Sequence, residues 1–370
     1  MLQRPVRRYR LANHVHGLPF DPPRWGEKPR LRPKESLKQG QGTTVAVLDS
    51  GVSQHPWLAD RLAERPLPEE ALELWDLSGP ALPRHVGHGT FVAGVILQYA
   101  PAARLLPRRV INIDGDADDF RLSTVIDGLV AADPDVVNLS LGPTPADHPG
   151  EVDEGVRRTV AALARLQDSC GTIVVVAAGN SLEPFPAEHI APEDPLTVVV
   201  GALDLSGQPA WFSRTDSVQI WAPGVDILSS FVHFDGPVAL NHPPEHHEDG
   251  HGGHADAGHP DASQGHAYGG HKHAEHKHGE HEHGGHPPAP VQHPLAPFAG
   301  WARWNGTSFA APAVAGALSA EISALADIAD RKERRTQALA NVLDAARPLT
   351  GEVKGVALVA WPVALQGPPA

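Results

Sequence analysis

Three residues of this chain stand in contexts suited to acyl transfer: Asp49, His88 and Ser308. Attack by a serine on a carbonyl needs a placed hydroxyl, a base to take its proton and a carboxylate to hold that base in the right tautomer. Asp49 ends the apolar run Val45-Ala46-Val47-Leu48 and is followed by Ser50-Gly51. His88 lies in Gly-His-Gly-Thr-Phe-Val-Ala-Gly (87–94), and Ser308 in Asn-Gly-Thr-Ser-Phe-Ala-Ala-Pro (305–312). A fourth residue, Asn180, closes Val-Ala-Ala-Gly-Asn (176–180) and offers a side-chain amide to a developing oxyanion. His88 and Ser308 fall at predicted helix starts, where unpaired N–H groups favour negative charge. Taken singly, each segment reads equally well as a turn, a helix start or a cap. Four of them in chain order, at strand ends and helix starts, argue against coincidence.

The elements that must position these residues alternate in type. Strands are predicted over Thr44–Leu48, Arg104–Ile113, Asp135–Leu141, Thr172–Ala178 and Leu196–Ala202. Helices are predicted over Gly87–Tyr99, Leu122–Ala132, Val152–Gln167, Thr307–Leu325 and Lys332–Ala346, with a last strand and docked tail in Val353–Leu365. This alternation argues for an α/β fold with a parallel sheet covered on both faces. The strands are nearly continuous in apolar character, as burial on both faces requires. Sites in such sheets form at the carboxyl ends of strands, where Asp49, Ser140-Leu141-Gly142 and Gly179-Asn180 lie.

On these segments the chain resembles the subtilisin-like serine proteases (subtilases). The blocks around Asp49, His88 and Ser308 are similar to that family's three signatures, in its Asp…His…Ser order. Val-Val-Asn-Leu-Ser-Leu-Gly (136–142), Val-Ala-Ala-Gly-Asn (176–180) and Trp221-Ala222-Pro223-Gly224-Val225 extend the likeness. It spans roughly residues 41–230 and 301–366. The resemblance implies a three-layer fold, with a mostly parallel central sheet and helices on both faces. It implies a serine endopeptidase acting on peptides or proteins through an acyl-enzyme, with Asn180 in the oxyanion hole. By the same resemblance Ser140, Leu141 and Gly142 offer backbone edges to an extended peptide, as strand addition requires. Ala177, Ala178 and Gly179 would wall the pocket for the side chain before the scissile bond. Trp304 either borders the leaving-group side or is packing. Glu183 is either a solvated loop charge or a group favouring basic side chains. Some features depart from the family. An arm of forty residues is too short for its folded propeptide. Only Leu97, Gln98 and Tyr99 stand between Ile96 and Ala100, so the usual calcium loop is expected to be absent. Phe309 follows the serine where many relatives carry an oxidisable methionine.

Composition bounds the rest. The formal charge of −14 over 370 residues argues against an extended nucleic-acid footprint. Residues 1–40 hold ten Lys/Arg against three Asp/Glu, so we expect a basic arm lying on an acidic body. Residues 41–366 form the peptidase domain, interrupted by an insertion over 232–300. The lone Cys170 cannot form an intrachain disulfide and reads as a small core residue. No apolar stretch reaches signal-peptide or transmembrane length, so a cytoplasmic protein without a membrane role is expected. Oligomeric state is left open.

Residues 231–300 carry 16 of the 23 histidines and too few aliphatic residues for a core, so this insertion is expected to be disordered. Its densest tract holds His271, His273, His276, His278, His281, His283 and His286. Imidazoles at this density are candidate ligands for zinc, nickel or copper, adventitious or regulatory. No cysteine pair accompanies them, which argues against a structural zinc site. Catalysis by the triad requires no cofactor. The alternative reading is a metal-buffering or metal-sensing protein on a protease scaffold, for which an intact triad would be superfluous.

Overall fold

The alternation of strands and helices becomes an eight-stranded sheet with helices on both faces in the computed structural model of the chain. The structure describes residues 8–11, 24–26, 37–64, 71–72, 85–112, 115–143, 154–180, 195–215, 217–234, 298–349 and 355–358. Glu183, the tract from His271 to His286 and the tail after Leu358 lie outside them. All described residues belong to one compact unit, residues 1–241 with 295–370.

In chain order the strands and helices open with β1 (Arg8–Leu11), β2 (Arg24–Trp25), β3 (Thr44–Asp49), α1 (His88–Tyr99) and β4 (Arg104–Arg109). Then come β5 (Asp116–Asp118), α2 (Asp119–Gly128), β6 (Val136–Leu139), β7 (Leu141–Pro143), α3 (Glu154–Cys170) and β8 (Ile173–Ala177). β9 (Thr197–Leu203), β10 (Ile220–Pro223), β11 (Ile227–Phe234) and β12 (Phe298–Trp304) follow. The last elements are α4 (Thr307–Ala324), α5 (Arg331–Ala345), β13 (Arg347–Pro348) and β14 (Val356–Ala357). The main sheet has the order β13-β14-β10-β9-β8-β6-β3-β4. Every neighbouring pair in it is parallel except β13 with β14.

Two cores explain why the strands read as unbroken apolar runs. Val45 and Val47 of β3 face one core with α1, α4 and α5, while Ala46 and Leu48 face another with α2 and α3. β8 divides in the same way, Ile173 and Val175 against Val174 and Val176. A fully buried Val or Leu contributes about 1.5–3 kcal/mol. A one-residue slip would exchange the two cores, so the register is fixed. α3 buries Val156, Thr159, Leu163, Leu166 and Cys170 in one stripe, the three- and four-residue spacing of a one-sided helix. α1 is buried all round, between the sheet, α4 and β11.

Several boundaries differ from the sequence expectation for physical reasons. The strand expected over 135–141 divides at Ser140: β6 stays in the main sheet, and β7 turns into a small sheet of order β5-β1-β7. The helix expected from Leu122 begins at Asp119, because the Asp118 side chain accepts from the Arg121 N–H at 2.8 Å and caps it. α1 continues unbroken through Tyr99, and the chain turns at Ala100–Ala103 into β4. The ends of the insertion are strand: β11 and β12 form an antiparallel pair that closes with Phe234 opposite Phe298. Two short segments of the arm are also paired, β1 with β5 and β7, and β2 with β12. No helix among the described residues is long and apolar enough to cross a membrane.

Candidate active site

The three blocks meet where β3, β6 and β8 end and α1 and α4 begin. Asp49 is the last residue of β3, and His88 is the first of α1. His88 Nδ1 lies 2.8 Å from Asp49 Oδ1, and both side chains are wholly buried. The Ser50 N–H donates to the same carboxylate oxygen at 2.7 Å, and Ser50 Oγ accepts from the Gly89 N–H at 3.0 Å. These bonds fix the carboxylate and tie the first turn of α1 to it. A Cβ on Gly89 would stand 2.0 Å from the Gly51 carbonyl oxygen, so only glycine lets α1 approach β3 this closely. With Nδ1 donating to Asp49, Nε2 is the basic nitrogen of His88. It is buried and has no hydrogen-bond partner among the described residues.

Aromatic rings hold the imidazole from behind. Trp304 meets it edge-on at 5.6 Å and Phe309 lies at 5.3 Å, with Phe91 packed on Phe309 at 4.5 Å. Trp304 is 1% exposed and packs edge-on against His88.

Ser308 is the second residue of α4, so its N–H has no carbonyl four residues back inside the helix. Gly306, just before α4, has φ 155° and ψ 154°, a region open essentially to glycine alone. Pro312 lies inside the same helix. Lacking an N–H, it leaves the carbonyl of Ser308, four residues earlier, without its helical donor. Ser140 fills the gap: its hydroxyl donates to Ser308 O at 2.8 Å, and the Asn138 amide donates to Ser140 Oγ at 2.9 Å. Ser308 Oγ donates to the Ser140 carbonyl at a long 3.4 Å. A hydroxyl so weakly held can turn at little cost.

Asn180 is fixed by its carbonyl end. Oδ1 accepts from both the N–H and the hydroxyl of Thr307, at 2.9 and 2.8 Å. Two donors at one oxygen settle the orientation of the amide and leave the NH2 end as its donor. Thr307 Oγ1 also accepts from the Gly179 N–H at 3.1 Å, joining the end of β8 to the start of α4. Of the expected pocket residues, Ala177 is buried at the end of β8, and Ala178 and Gly179 are half-buried. Leu141 and Gly142 lie in β7 with their backbones on a sheet ladder.

The structure therefore pairs Asp49 with His88, joins Ser308 to Ser140 and Asn180 to Thr307, and packs His88 against Phe309, the residue after Ser308. It adds Thr307, Asn138 and Ser50, which the sequence reading did not single out. A proline four residues after the candidate nucleophile was the available signal, since it predicts a freed carbonyl needing a donor. The arrangement suits proton transfer from a serine to a histidine oriented by a carboxylate. The Ser308 N–H and the Asn180 amide stand ready for an oxyanion. Among the described residues no three His, Cys, Asp or Glu side chains gather as a metal site.

Comparison with known proteins points to one family. Subtilisin E of Bacillus subtilis is 32% identical over 209 residues, covering 52% of this chain and 49% of that protein. Subtilisin BL of Lederbergia lenta is also 32% identical over 209 residues, covering 52% of this chain and 67% of that protein. The chain thus spans about half the length of the first curated relatives it matches, 49% for Subtilisin E. The solved structure of MycP1 with its N-terminal propeptide removed aligns with a TM-score of 0.51 at 20% identity. The alignment covers 89% of this chain and 92% of that one, a likeness of fold. The model of the Subtilase family matches residues 40–341, and the chain belongs to that family.

Proposed function

We propose that this chain is a serine endopeptidase that hydrolyses peptide bonds through an acyl-enzyme on Ser308. The observation that carries the reading is the buried Asp49–His88 pair at 2.8 Å beside a serine in the first turn of α4. In turnover Ser308 Oγ turns from the Ser140 carbonyl to His88 Nε2, gives up its proton and attacks the scissile carbonyl. Asp49 holds the tautomer and offsets the charge of the imidazolium. The oxyanion takes hydrogen bonds from the Ser308 N–H and Asn180 Nδ2, an arrangement worth most in a site closed to water. His88 then protonates the departing amine, and water repeats the sequence to release the acyl group. Substrates are extended peptides or proteins laid along β7, with Ala177, Ala178 and Gly179 bordering the side chain before the cleaved bond. To take the Ser308 proton, the base must be neutral.

The test is Ser308→Ala, which removes one buried oxygen and little packing. Peptidase activity should fall on the order of 10⁶-fold, with the circular dichroism spectrum and melting temperature nearly unchanged. A fluorophosphonate probe should label the parent chain and not the variant. Turnover by Ser308→Ala close to that of the parent would remove Ser308 from the mechanism.

A further inference from the structure

The pocket proposed for the side chain before the cleaved bond has a charged residue packed on its wall. After β9 the chain turns back toward the site. The Ala210 N–H donates to the Ala202 carbonyl at 2.8 Å, and the Arg214 N–H donates to the Gly179 carbonyl at 3.2 Å. Ser213 locks the turn between them. Its hydroxyl accepts from the Ala202 N–H and donates to the Arg214 carbonyl, both at 3.0 Å. Arg214 is 4% exposed, and its stem runs against Gly179. A Cβ built on Gly179 would stand 3.2 Å from Cδ of Arg214 and 4.0 Å from its Cγ. The guanidinium begins one bond beyond that Cδ. Gly179 has φ 100°, in the left-handed region that favours glycine, so at this point the wall puts no side chain of its own over the arginine.

We propose, resting on the peptidase reading, that Arg214 sets the preference of this pocket and that the favoured substrate carries Asp or Glu immediately before the cleaved bond. Arginine keeps its charge at any working pH and presents its N–H donors in a planar fork. With that many donors it can hold a neighbour within the fold and still receive a carboxylate, in the bidentate geometry that makes such bonds strong. A charge this deeply buried is little screened by salt. A lysine or arginine side chain in the same pocket would meet a like charge, and a neutral one would gain no ion pair. Ala177, Ala178 and Gly179 bring no charge of their own to the wall. The opposite preference, for a basic side chain, is the one the sequence attaches to Glu183, which lies outside the described residues.

The test compares the full chain with Arg214→Met, which keeps a stem against Gly179 and removes the charge, and with Arg214→Lys, which keeps the charge and loses the fork. Fluorogenic peptides are made that differ only in the residue before the cleaved bond, which is Glu, Gln, Leu or Lys. In the parent, kcat/KM for Glu should exceed that for Gln about tenfold, most of it in KM, with Lys the poorest. In Arg214→Met the Glu-to-Gln ratio should fall to about one, while cleavage of the Leu peptide stays within about twofold. Arg214→Lys should keep part of the ratio. A merely structural role would lower all of these peptides together. Binding is read separately, by anisotropy of fluorescent peptides ending in Glu or Gln. Ser308→Ala should bind the Glu peptide about tenfold more tightly than the Gln peptide, and the same protein with Arg214→Met should bind the two equally. A parent ratio near one, a preference for Lys, or the same ratio in parent and Arg214→Met overturns the proposal. If Arg214→Met does not fold, Arg214→Lys decides, and a ratio equal to the parent's overturns it. Glu-selective binding by Ser308→Ala, with a parent that neither hydrolyses the peptides nor takes up a fluorophosphonate, would instead sink the peptidase reading and leave the charged pocket standing.

Discussion

At the scale of residues, the candidate nucleophile depends on a serine that does no chemistry. Pro312 frees the Ser308 carbonyl and the Ser140 hydroxyl satisfies it at 2.8 Å. Ser140→Ala would leave that buried carbonyl unpaired, a cost of about 1–3 kcal/mol. We expect kcat to fall roughly tenfold if about 1.4 kcal/mol of that cost reaches the transition state, with a smaller change in KM. Adding Pro312→Ala restores a helical N–H in the right place, so the double variant should recover part of the loss. A double-mutant cycle reads this as coupling, and strict additivity would refute the account. Cys170 is the contrasting case. Burial pushes its thiol above the ordinary cysteine range, and the neighbouring Asp133 carboxylate adds to the shift. The proton is therefore held more firmly than in the unfolded chain, and little thiolate forms at pH 8. In a thiol-labelling assay at that pH, Cys170 should stay unmodified in the native protein and react at once in guanidinium chloride. Rapid labelling of the folded chain would contradict this.

At the scale of elements, α5 is clipped to the amino ends of the sheet, away from the triad. Arg335 is fully buried and donates from Nε to Asp135 Oδ1 at 2.9 Å, from Nη1 to Asp133 Oδ1 at 2.9 Å, and to the Cys170 carbonyl. Removing Arg335 leaves Asp133 and Asp135 with Arg331 as their cation, at 3.3 and 3.2 Å, so the cost falls below the roughly 3–5 kcal/mol of a fully uncompensated buried charge. Arg335→Leu should lower the melting temperature by several degrees while KM at permissive temperature stays the same. An unchanged melting temperature would show that the clip carries no stability. This scale also shows where the sequence was legible. β3, β6, β8 and β9 could be read because burial on both faces makes them apolar throughout, and α3 because it is one-sided. The candidate triad and Asn180 drew attention in the sequence because they sit where such segments stop or start. β1, β2, β5 and β7 could not be read: they have two to four residues, all but β7 carry arginine or aspartate, and they exist only through partners distant in the chain. β11 and β12 were obscured for another reason, since the insertion separates two strands that form one hairpin. Thr307 was missed because its hydrogen bonds to Asn180 and Gly179 span more than a hundred residues and leave no local pattern. Asn138 bonds only two residues along, to Ser140, and matters to the site through the Ser140 bond to the distant Ser308 carbonyl.

At the scale of the whole molecule, the histidine-rich insertion connects in sequence the two strands of one antiparallel pair, β11 and β12. Phe234 stands opposite Phe298, so both ends leave the fold at one rung, on a strand that carries Trp304 beneath His88. Loop length is a weak thermodynamic variable, with each doubling costing about 0.6 kcal/mol. Replacing residues 242–293 by a short Gly/Ser linker should therefore move the melting temperature by only a few degrees. It should leave kcat/KM without metal within about twofold. If the histidine tract governs access to the cleft, zinc will change kcat/KM of the intact chain and not of the shortened one. Equal responses would assign the metal effect elsewhere and end the regulatory idea.

The same rung means that a single cut in the insertion would divide the proposed catalytic residues between two polypeptides. The first fragment would keep Asp49, His88 and Asn180, and the second would carry Ser308. They would remain joined through the β11–β12 ladder and through α4, which packs against α1 and the strands of the main sheet. On the proposed mechanism, dissociation of the halves would carry the nucleophile away from its base.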